Sequence, residues 1–132
     1  MATVLLVEDV PVVRMTLVKF LERGGHRVTV YGGGEEAWRG IGKTCFDVVI
    51  TDLWMTNGDG LEFIRRLRTR GDLTPIIAIT GGDPRSPQSS SRDDALRSGA
   101  NRVLLKPVTK ATLLEAVGEC VGRGDGAGGK VI

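Results

Sequence analysis

The sequence is poor in the residues that build disulfide frameworks, zinc clusters and histidine-based catalytic sites. It contains two cysteines, Cys45 and Cys120, and one histidine, His26, in 132 residues. The cysteines do not have the spacing of a metal-binding pair, so we interpret them as reduced thiols, which are typical of a cytoplasmic protein. His26 lies in a polar, glycine-containing turn and is assigned no role. Neither a cysteine-based metal site nor a disulfide framework is expected.

Long apolar runs and a strong charge of either sign are also lacking. No stretch approaches the roughly 20 apolar residues of a membrane-spanning helix, and the chain begins with a predicted strand rather than a signal peptide. The net charge of +2 is too small to argue for nucleic acid or a membrane surface as a partner. The triple glycine at 32–34 lacks the GxGxxG spacing of a dinucleotide-binding loop. The composition, 41% hydrophobic and 26% charged, is that of an ordinary soluble globular protein.

The sequence does contain a regular alternation of short apolar runs and helical patterns. A short strand is predicted at 27–31, and the other strand candidates are continuous apolar runs at 4–7, 47–51, 76–79 and 103–105. Continuous runs of this length are typical of parallel strands that are buried on both faces. Strands that alternate with helices indicate βαβ units. We therefore predict one (βα)5 domain with right-handed crossovers.

Polar side chains follow four of these runs. Glu8 and Asp9 follow the first run, and the later runs end at Asp52, Thr80 and Lys106. In an open α/β sheet, ligands bind outside the carboxyl ends of the strands. Three carboxylates, a hydroxyl and an ammonium are therefore expected to converge on one crevice. This combination indicates a phosphoryl and metal site rather than a packing pattern.

These residues resemble the receiver domain of bacterial two-component response regulators. The resemblance covers residues 3 to about 121 and rests on four segments in order: Glu8-Asp9, 52–60 (DLWMTNGDG), Thr80-Gly81 and Lys106-Pro107. It implies a flavodoxin-like, doubly wound parallel sheet with strand order 2-1-3-4-5, the order known from chemotaxis receivers. We expect a receiver domain over residues 1–121. The glycine-rich residues 122–132 are expected to form a flexible tail or the start of a linker.

The resemblance implies that the acidic residues are a phosphoacceptor and its metal ligands. Asp52 is the expected phosphoacceptor, a carboxylate nucleophile that attacks phosphorus. Mg²⁺ is the expected cofactor, because it prefers oxygen ligands and retains bound waters. Asp9 and Asp52 would bind it directly, and Glu8 mainly through a water. The backbone carbonyl of Trp54, two residues after the acceptor, is the further ligand that the family provides.

The resemblance also implies that Lys106 and Thr80 bind the phosphoryl group. Lys106 would place a compact positive charge on the transferred phosphoryl oxygens. In the family the bond from this lysine to the following proline, here Pro107, is cis and directs the lysine. Thr80 would donate its hydroxyl to a phosphoryl oxygen once Asp52 is modified, and Gly81 would leave room for that group.

Three features depart from the family pattern. Thr56 replaces a proline four residues after the acceptor, which affects the geometry of the loop rather than the chemistry. Val103 replaces the tyrosine or phenylalanine whose rotation couples phosphorylation to the output face of the domain. The stretch between Thr80 and Lys106 is several residues longer than usual. We assign the extra length to residues 81–92, which are rich in glycine, proline and serine and are predicted to form a mobile loop.

The function that the resemblance implies is a phosphorylation-operated signalling switch rather than a metabolic enzyme. A sensor histidine kinase or phosphotransfer protein would donate the phosphoryl group, and an unknown downstream protein would respond. An alternative is a pseudo-receiver, a protein-binding module without phosphotransfer, which Val103 keeps open. A haloacid-dehalogenase-like phosphatase would need an aspartate at the position of Trp54. Both a stand-alone receiver and a receiver from a longer protein fit the sequence.

Overall fold

The computed structural model describes residues 2–55, 60–81 and 88–128. Within these residues five strands alternate with five helices, as the sequence predicted. The strands are β1 (Thr3–Val7), β2 (Arg27–Tyr31), β3 (Val48–Asp52), β4 (Ile76–Thr80) and β5 (Arg102–Leu105). The helices are α1 (Pro11–Arg23), α2 (Gly34–Ile41), α3 (Gly60–Thr69), α4 (Gln88–Ser98) and α5 (Lys110–Gly128).

The strands form one parallel sheet in the order β2-β1-β3-β4-β5. This order confirms the flavodoxin-like, doubly wound topology. Because β1 pairs with β2 on one side and with β3 on the other, the winding direction reverses between β1 and β3. The crevice at such a reversal, outside the carboxyl ends of the strands, is the usual ligand site of an open α/β sheet. Polar residues that follow β1 and β3 are therefore well placed to form a site.

The sheet has a hydrophobic core on each face. On one face, residues of α1 and α5 such as Leu21 and Leu113 pack against strand residues such as Ile50. On the other face, α2, α3 and α4 cover the sheet, and Phe63 is the largest fully buried side chain there. Burial on both faces explains why β3 and β4 are continuous apolar sequences without polar alternation.

Two boundaries differ in detail from the sequence predictions. Helix α4 begins at Gln88, so the last residues of the predicted loop at 81–92 are helical, while residues 82–87 lie outside the described residues. Helix α5 continues to Gly128, beyond residue 121, where we expected the domain to end. The division at residue 121 stays a prediction, and residues 129–132 of the expected tail are not described. No helix in the described ranges is long and apolar enough to cross a membrane.

Gly118 provides a test of helix α5. This glycine is exposed in the helix, and a Cβ atom added there would meet no atom within 4 Å. Alanine loses less backbone entropy on folding, so Gly118→Ala should raise the free energy of unfolding by about 0.5–1 kcal/mol in urea denaturation. Gly99→Ala is the contrasting control, because Gly99 has a φ of 125° and should lose stability. A Gly118→Ala variant that is less stable than the wild type would contradict the conclusion that Gly118 lies on an exposed, uncrowded face of α5.

Candidate functional site

The three predicted acidic residues lie together at the carboxyl ends of β1 and β3. Glu8 and Asp9 directly follow β1, and Asp52 is the last residue of β3, its neighbour in the sheet. Each residue offers a carboxylate oxygen, and these oxygens lie within 4.8 Å of one another. Glu8 is 0% exposed and Asp52 is 3% exposed. Close, buried carboxylates repel one another, so this arrangement favours a cation at the site.

Lys106 contacts two of these carboxylates. It follows β5, and its Nζ lies 2.9 Å from Asp52 Oδ2 and 3.6 Å from Glu8 Oε1. Burial alone would lower the pKa of Lys106, but its hydrogen bond to Asp52 and the charges of Asp52 and Glu8 raise that pKa above its ordinary value. The lysine is therefore fully charged at neutral pH. The Lys106–Pro107 peptide bond is cis, as the resemblance implied.

Thr80 and Gly81 lie at the end of β4, between the strands that carry Asp52 and Lys106. Thr80 is fully buried, and its carbonyl accepts a hydrogen bond of 3.0 Å from the backbone N–H of Lys106. A Cβ atom on Gly81 would lie 3.7 Å from Lys106 Cδ, an ordinary contact. The backbone after β4 therefore packs directly against the stem of the lysine.

The backbone of Trp54 contacts the second carboxylate oxygen of Asp52. Its backbone N–H donates to Asp52 Oδ1 over 3.4 Å, while Oδ2 accepts from Lys106. The Asp52 carboxylate is thus oriented from both sides. Trp54 is 40% exposed and belongs to the loop that follows β3. The carbonyl of Trp54 stays a predicted ligand, and Thr56 and Asp59 of the same loop lie outside the described residues.

Gly60 supports the strand end that carries Asp52. A Cβ atom at this position would meet the Asp52 carbonyl oxygen and would lie 2.8 Å from Leu53 Cα. The backbone N–H of Gly60 donates to the Leu53 carbonyl over 3.2 Å. Gly60 is the last residue of the segment 52–60 on which the resemblance rests, and the structure adds the close backbone approach that requires glycine there.

Glu8 is the residue whose ionisation the site perturbs most clearly. Burial, and then the charge of Asp52, raise its pKa from 4.5 to about 7. Glu8 Oε2 accepts a hydrogen bond from the backbone N–H of Val10 (3.1 Å), whereas the buried Oε1 has only the longer ion-pair contact of 3.6 Å with Lys106 Nζ among the described residues. A divalent cation would relieve the repulsion between the carboxylates and give Oε1 a closer positive partner. The cluster therefore fits a metal ion that prefers oxygen ligands.

The raised pKa of Glu8 predicts a pH-dependent stability in the absence of divalent cations. The pKa of Glu8 is about 7 in the folded protein, against an ordinary glutamate value of 4.5. The resulting stabilisation is complete below pH 4.5 and is lost as the pH rises through 7. In EDTA, the ionisation of Glu8 should therefore lower the free energy of unfolding of the wild-type protein by on the order of 3 kcal/mol as the pH rises from 4.5 to 8. Urea denaturation across this range, with Glu8→Gln as the comparison, measures the contribution.

Glu8→Gln should lose less stability than wild type over the same pH range, because glutamine does not ionise. Equal pH dependence in the two proteins would show that folding does not raise the pKa of Glu8. Adding a divalent cation at pH 8 should restore the lost stability of the wild-type protein, because the cation compensates the negative charge that Glu8 acquires.

Arg14 is a site neighbour that the sequence analysis missed. It lies on α1, and its Nη1 donates to the backbone carbonyl of Glu8 over 3.3 Å. An arginine within a helical pattern gives no sequence signal for such a contact, because its partner is a main-chain atom. Only the fold, which brings the start of α1 over the end of β1, reveals it.

The comparisons with known proteins agree with the observed fold. The chain matches the family model described as response regulator receiver domain over residues 4–118. It is 35% identical over 128 residues to the response regulator MprA of Mycolicibacterium vanbaalenii, which covers 95% of this chain and 54% of that protein. It is 32% identical over 107 residues to the sensor protein EvgS of Escherichia coli O157:H7, which covers 81% of this chain and 9% of that protein.

A solved structure shows the same architecture with a metal. The receiver domain of the sensor histidine kinase PA1611 from Pseudomonas aeruginosa, which has a magnesium ion in its active-site cleft, superposes with a TM-score of 0.81 at 29% identity. The match covers 92% of this chain and 98% of that chain. The chain spans about half the length of the curated response regulators that it matches, and a smaller part of the sensor protein.

Proposed function

Because the chain belongs to the response regulator receiver domain family, we propose that Asp52 accepts a phosphoryl group from a sensor histidine kinase or a phosphotransfer protein. The observation that carries this proposal is the Asp52 carboxylate itself. It is buried at a strand end, oriented by Trp54 N–H and Lys106 Nζ, and flanked by two further carboxylates. A carboxylate held in this way is a positioned nucleophile.

In the proposed transfer, a carboxylate oxygen of Asp52 forms a bond to phosphorus as the bond from phosphorus to the donor imidazole nitrogen breaks. The nitrogen keeps the electron pair of the broken bond. Lys106 is within reach of the acceptor oxygens and stabilises the negative charge on the phosphoryl oxygens. The hydroxyl of Thr80, at the adjacent strand end, donates a hydrogen bond to the phosphoryl group on Asp52.

The cation that we propose for this site is Mg²⁺, held by Asp9, Asp52 and the carbonyl of Trp54, with Glu8 acting mainly through a bound water. The carboxylate oxygens within 4.8 Å of one another are the hard ligands that Mg²⁺ prefers. When bound, the ion would neutralise charge on the phosphoryl oxygens. The magnesium ion in the cleft of the PA1611 receiver supports this choice.

The phosphorylated domain is proposed to act as a signalling switch in the cytoplasm through altered contacts with a downstream protein. Val103 lies in β5 opposite Ala78 of β4 and is partly buried against the core on the face that α2, α3 and α4 cover. A valine has one side-chain torsion and cannot make the ring rotation expected of an aromatic residue at this position. The signal is therefore proposed to pass through backbone shifts near Thr80, whose carbonyl is bonded to Lys106 N–H.

Intact-mass measurement tests the phosphoacceptor role. Incubation with acetyl phosphate and Mg²⁺ should add a single phosphoryl group to the wild-type chain, and EDTA should prevent it. Asp52→Asn should show no adduct. Asp47→Asn is the matched control, because Asp47 lies at the opposite end of β3 and accepts a hydrogen bond from Thr3 N–H. Absence of the adduct from the wild type would favour the pseudo-receiver, whereas an adduct that persists in Asp52→Asn would show that another residue accepts the phosphoryl group.

A further inference from the structure

We propose that Arg14 is a positioning residue for the cation site, acting through the backbone carbonyl of Glu8. The inference rests on the cation-binding part of the proposed function and adds a residue that does not itself touch the cation. Arg14 is fixed on α1, where its backbone N–H donates to the Val10 carbonyl over 2.9 Å. From there its Nη1 reaches the Glu8 carbonyl at 3.3 Å.

The Glu8 carbonyl matters because it belongs to the peptide group that joins Glu8 to Asp9. Rotation of this peptide group would change the direction in which the Asp9 side chain leaves the backbone. The neighbouring groups are already held: Glu8 N–H donates to the Tyr31 carbonyl over 3.1 Å, and the Glu8 carboxylate accepts from Val10 N–H. The Arg14 side chain provides the remaining hydrogen bond, to the Glu8 carbonyl. A substitution at Arg14 therefore removes this hydrogen bond alone.

Gly32 provides the room for the Arg14 guanidinium. A Cβ atom on Gly32 would lie 3.4 Å from Arg14 Nη1 and 3.3 Å from Glu36 Oε1. The guanidinium thus lies between the end of β1 and the turn that follows β2. A larger side chain at residue 32 would displace Arg14 from the Glu8 carbonyl without changing its charge.

The sign of the effect on Mg²⁺ affinity separates positioning from simple electrostatics. A positive guanidinium near the carboxylates repels a cation, so its removal should tighten Mg²⁺ binding if charge were its main contribution. If Arg14 orients the Glu8–Asp9 segment, its removal should weaken binding. Loss of an outer-shell partner typically costs about 10- to 100-fold in metal affinity.

Magnesium titrations of the full chain, followed by tryptophan fluorescence after EDTA treatment and dialysis, test the proposal. Trp54 provides a signal close to the site, because its N–H contacts Asp52. Arg14→Met should raise the Kd for Mg²⁺ about tenfold, and Gly32→Val, which keeps the charge, should raise it in the same direction. Arg23→Met, at the exposed end of the same helix, should bind as the wild type does.

Circular dichroism and urea denaturation in EDTA establish that each variant is folded, and either folded variant alone decides the question. Wild-type or tighter Mg²⁺ binding by folded Arg14→Met or Gly32→Val overturns the positioning role and leaves the proposed function intact. Absence of Mg²⁺ binding by the wild type overturns the cation part of the proposed function, and this inference with it.

Discussion

Replacement of Lys106 by methionine is expected to slow phosphoryl transfer from acetyl phosphate to Asp52 by about 10²- to 10³-fold, the usual loss when one charge-stabilising donor is removed from a reacting centre. Lys106 Nζ contacts Asp52 Oδ2 at 2.9 Å and Glu8 Oε1 at 3.6 Å. Methionine keeps the length of the side chain but provides no charge for the phosphoryl oxygens. The rate of adduct formation by intact mass, at saturating Mg²⁺, measures the effect.

Lys110→Met is the matched control for this substitution. Lys110 is exposed at the start of α5, four residues from Lys106, so its replacement changes the net charge equally without touching the site. Its transfer rate should stay close to that of the wild type. A Lys106→Met rate within about threefold of the control would contradict the proposed role of the lysine in charge stabilisation.

Replacement of Arg68 by methionine is expected to lower the free energy of unfolding by about 3 kcal/mol or more, because it removes charged hydrogen bonds to several backbone carbonyls at once. Arg68 Nε and Nη2 donate to the Gly99 carbonyl at 3.1 and 2.8 Å. Nη1 donates to the carbonyls of Asp72 and Thr74, each at 2.8 Å. One guanidinium thus ties the end of α3 to the turns that precede β4 and β5.

Asn101 extends the hydrogen-bond network of Arg68. Arg68 Nη2 also donates to Asn101 Oδ1 at 3.0 Å, and the same oxygen accepts from the backbone N–H of Ile76 at 2.8 Å. Burial lowers the pKa of the Arg68 guanidinium, which the charge of Asp72 partly offsets. Arginine remains charged under all ordinary conditions, so the network is expected to persist throughout the neutral pH range.

Arg65→Met separates the Arg68 network from a general effect of positive charge on α3. The Arg65 side chain is 54% exposed and forms one ion pair of 3.9 Å with Glu62. Exposed pairs of this kind contribute about 0–1 kcal/mol. Urea denaturation should therefore show a large loss for Arg68→Met and a small one for Arg65→Met. Equal losses would contradict the assignment of the network to Arg68.

The sequence predicted the elements that depend on local pattern. The apolar runs predicted β1, β3, β4 and β5 because both faces of the sheet are buried, so the strands contain few polar interruptions. The polar residues at their ends predicted the convergence of Glu8, Asp9 and Asp52, because parallel strands present their carboxyl ends at one edge. Lys106 was found for the same reason, and the structure adds its contacts with two carboxylates.

The residues that the sequence did not reveal bond to main-chain atoms far away in the chain. Arg68 lies in the basic run 65–70, and nothing in that run distinguishes it from Arg66 and Arg70, which lie 5.4 and 5.0 Å from the centre of the Trp38 ring. The partner of Arg14 is likewise a carbonyl. Such contacts leave no spacing pattern, because any residue type can provide the carbonyl.

The measurement that tests the central claim most directly is the location of the phosphoryl group on the chain. Borohydride reduces an aspartyl phosphate to homoserine, and peptide mass spectrometry then identifies the converted residue. After incubation with acetyl phosphate and Mg²⁺, we expect homoserine at position 52 alone, at the end of the buried strand β3. Homoserine at position 9 or elsewhere, with Asp52 unmodified, would contradict the account of Asp52 as the phosphoacceptor.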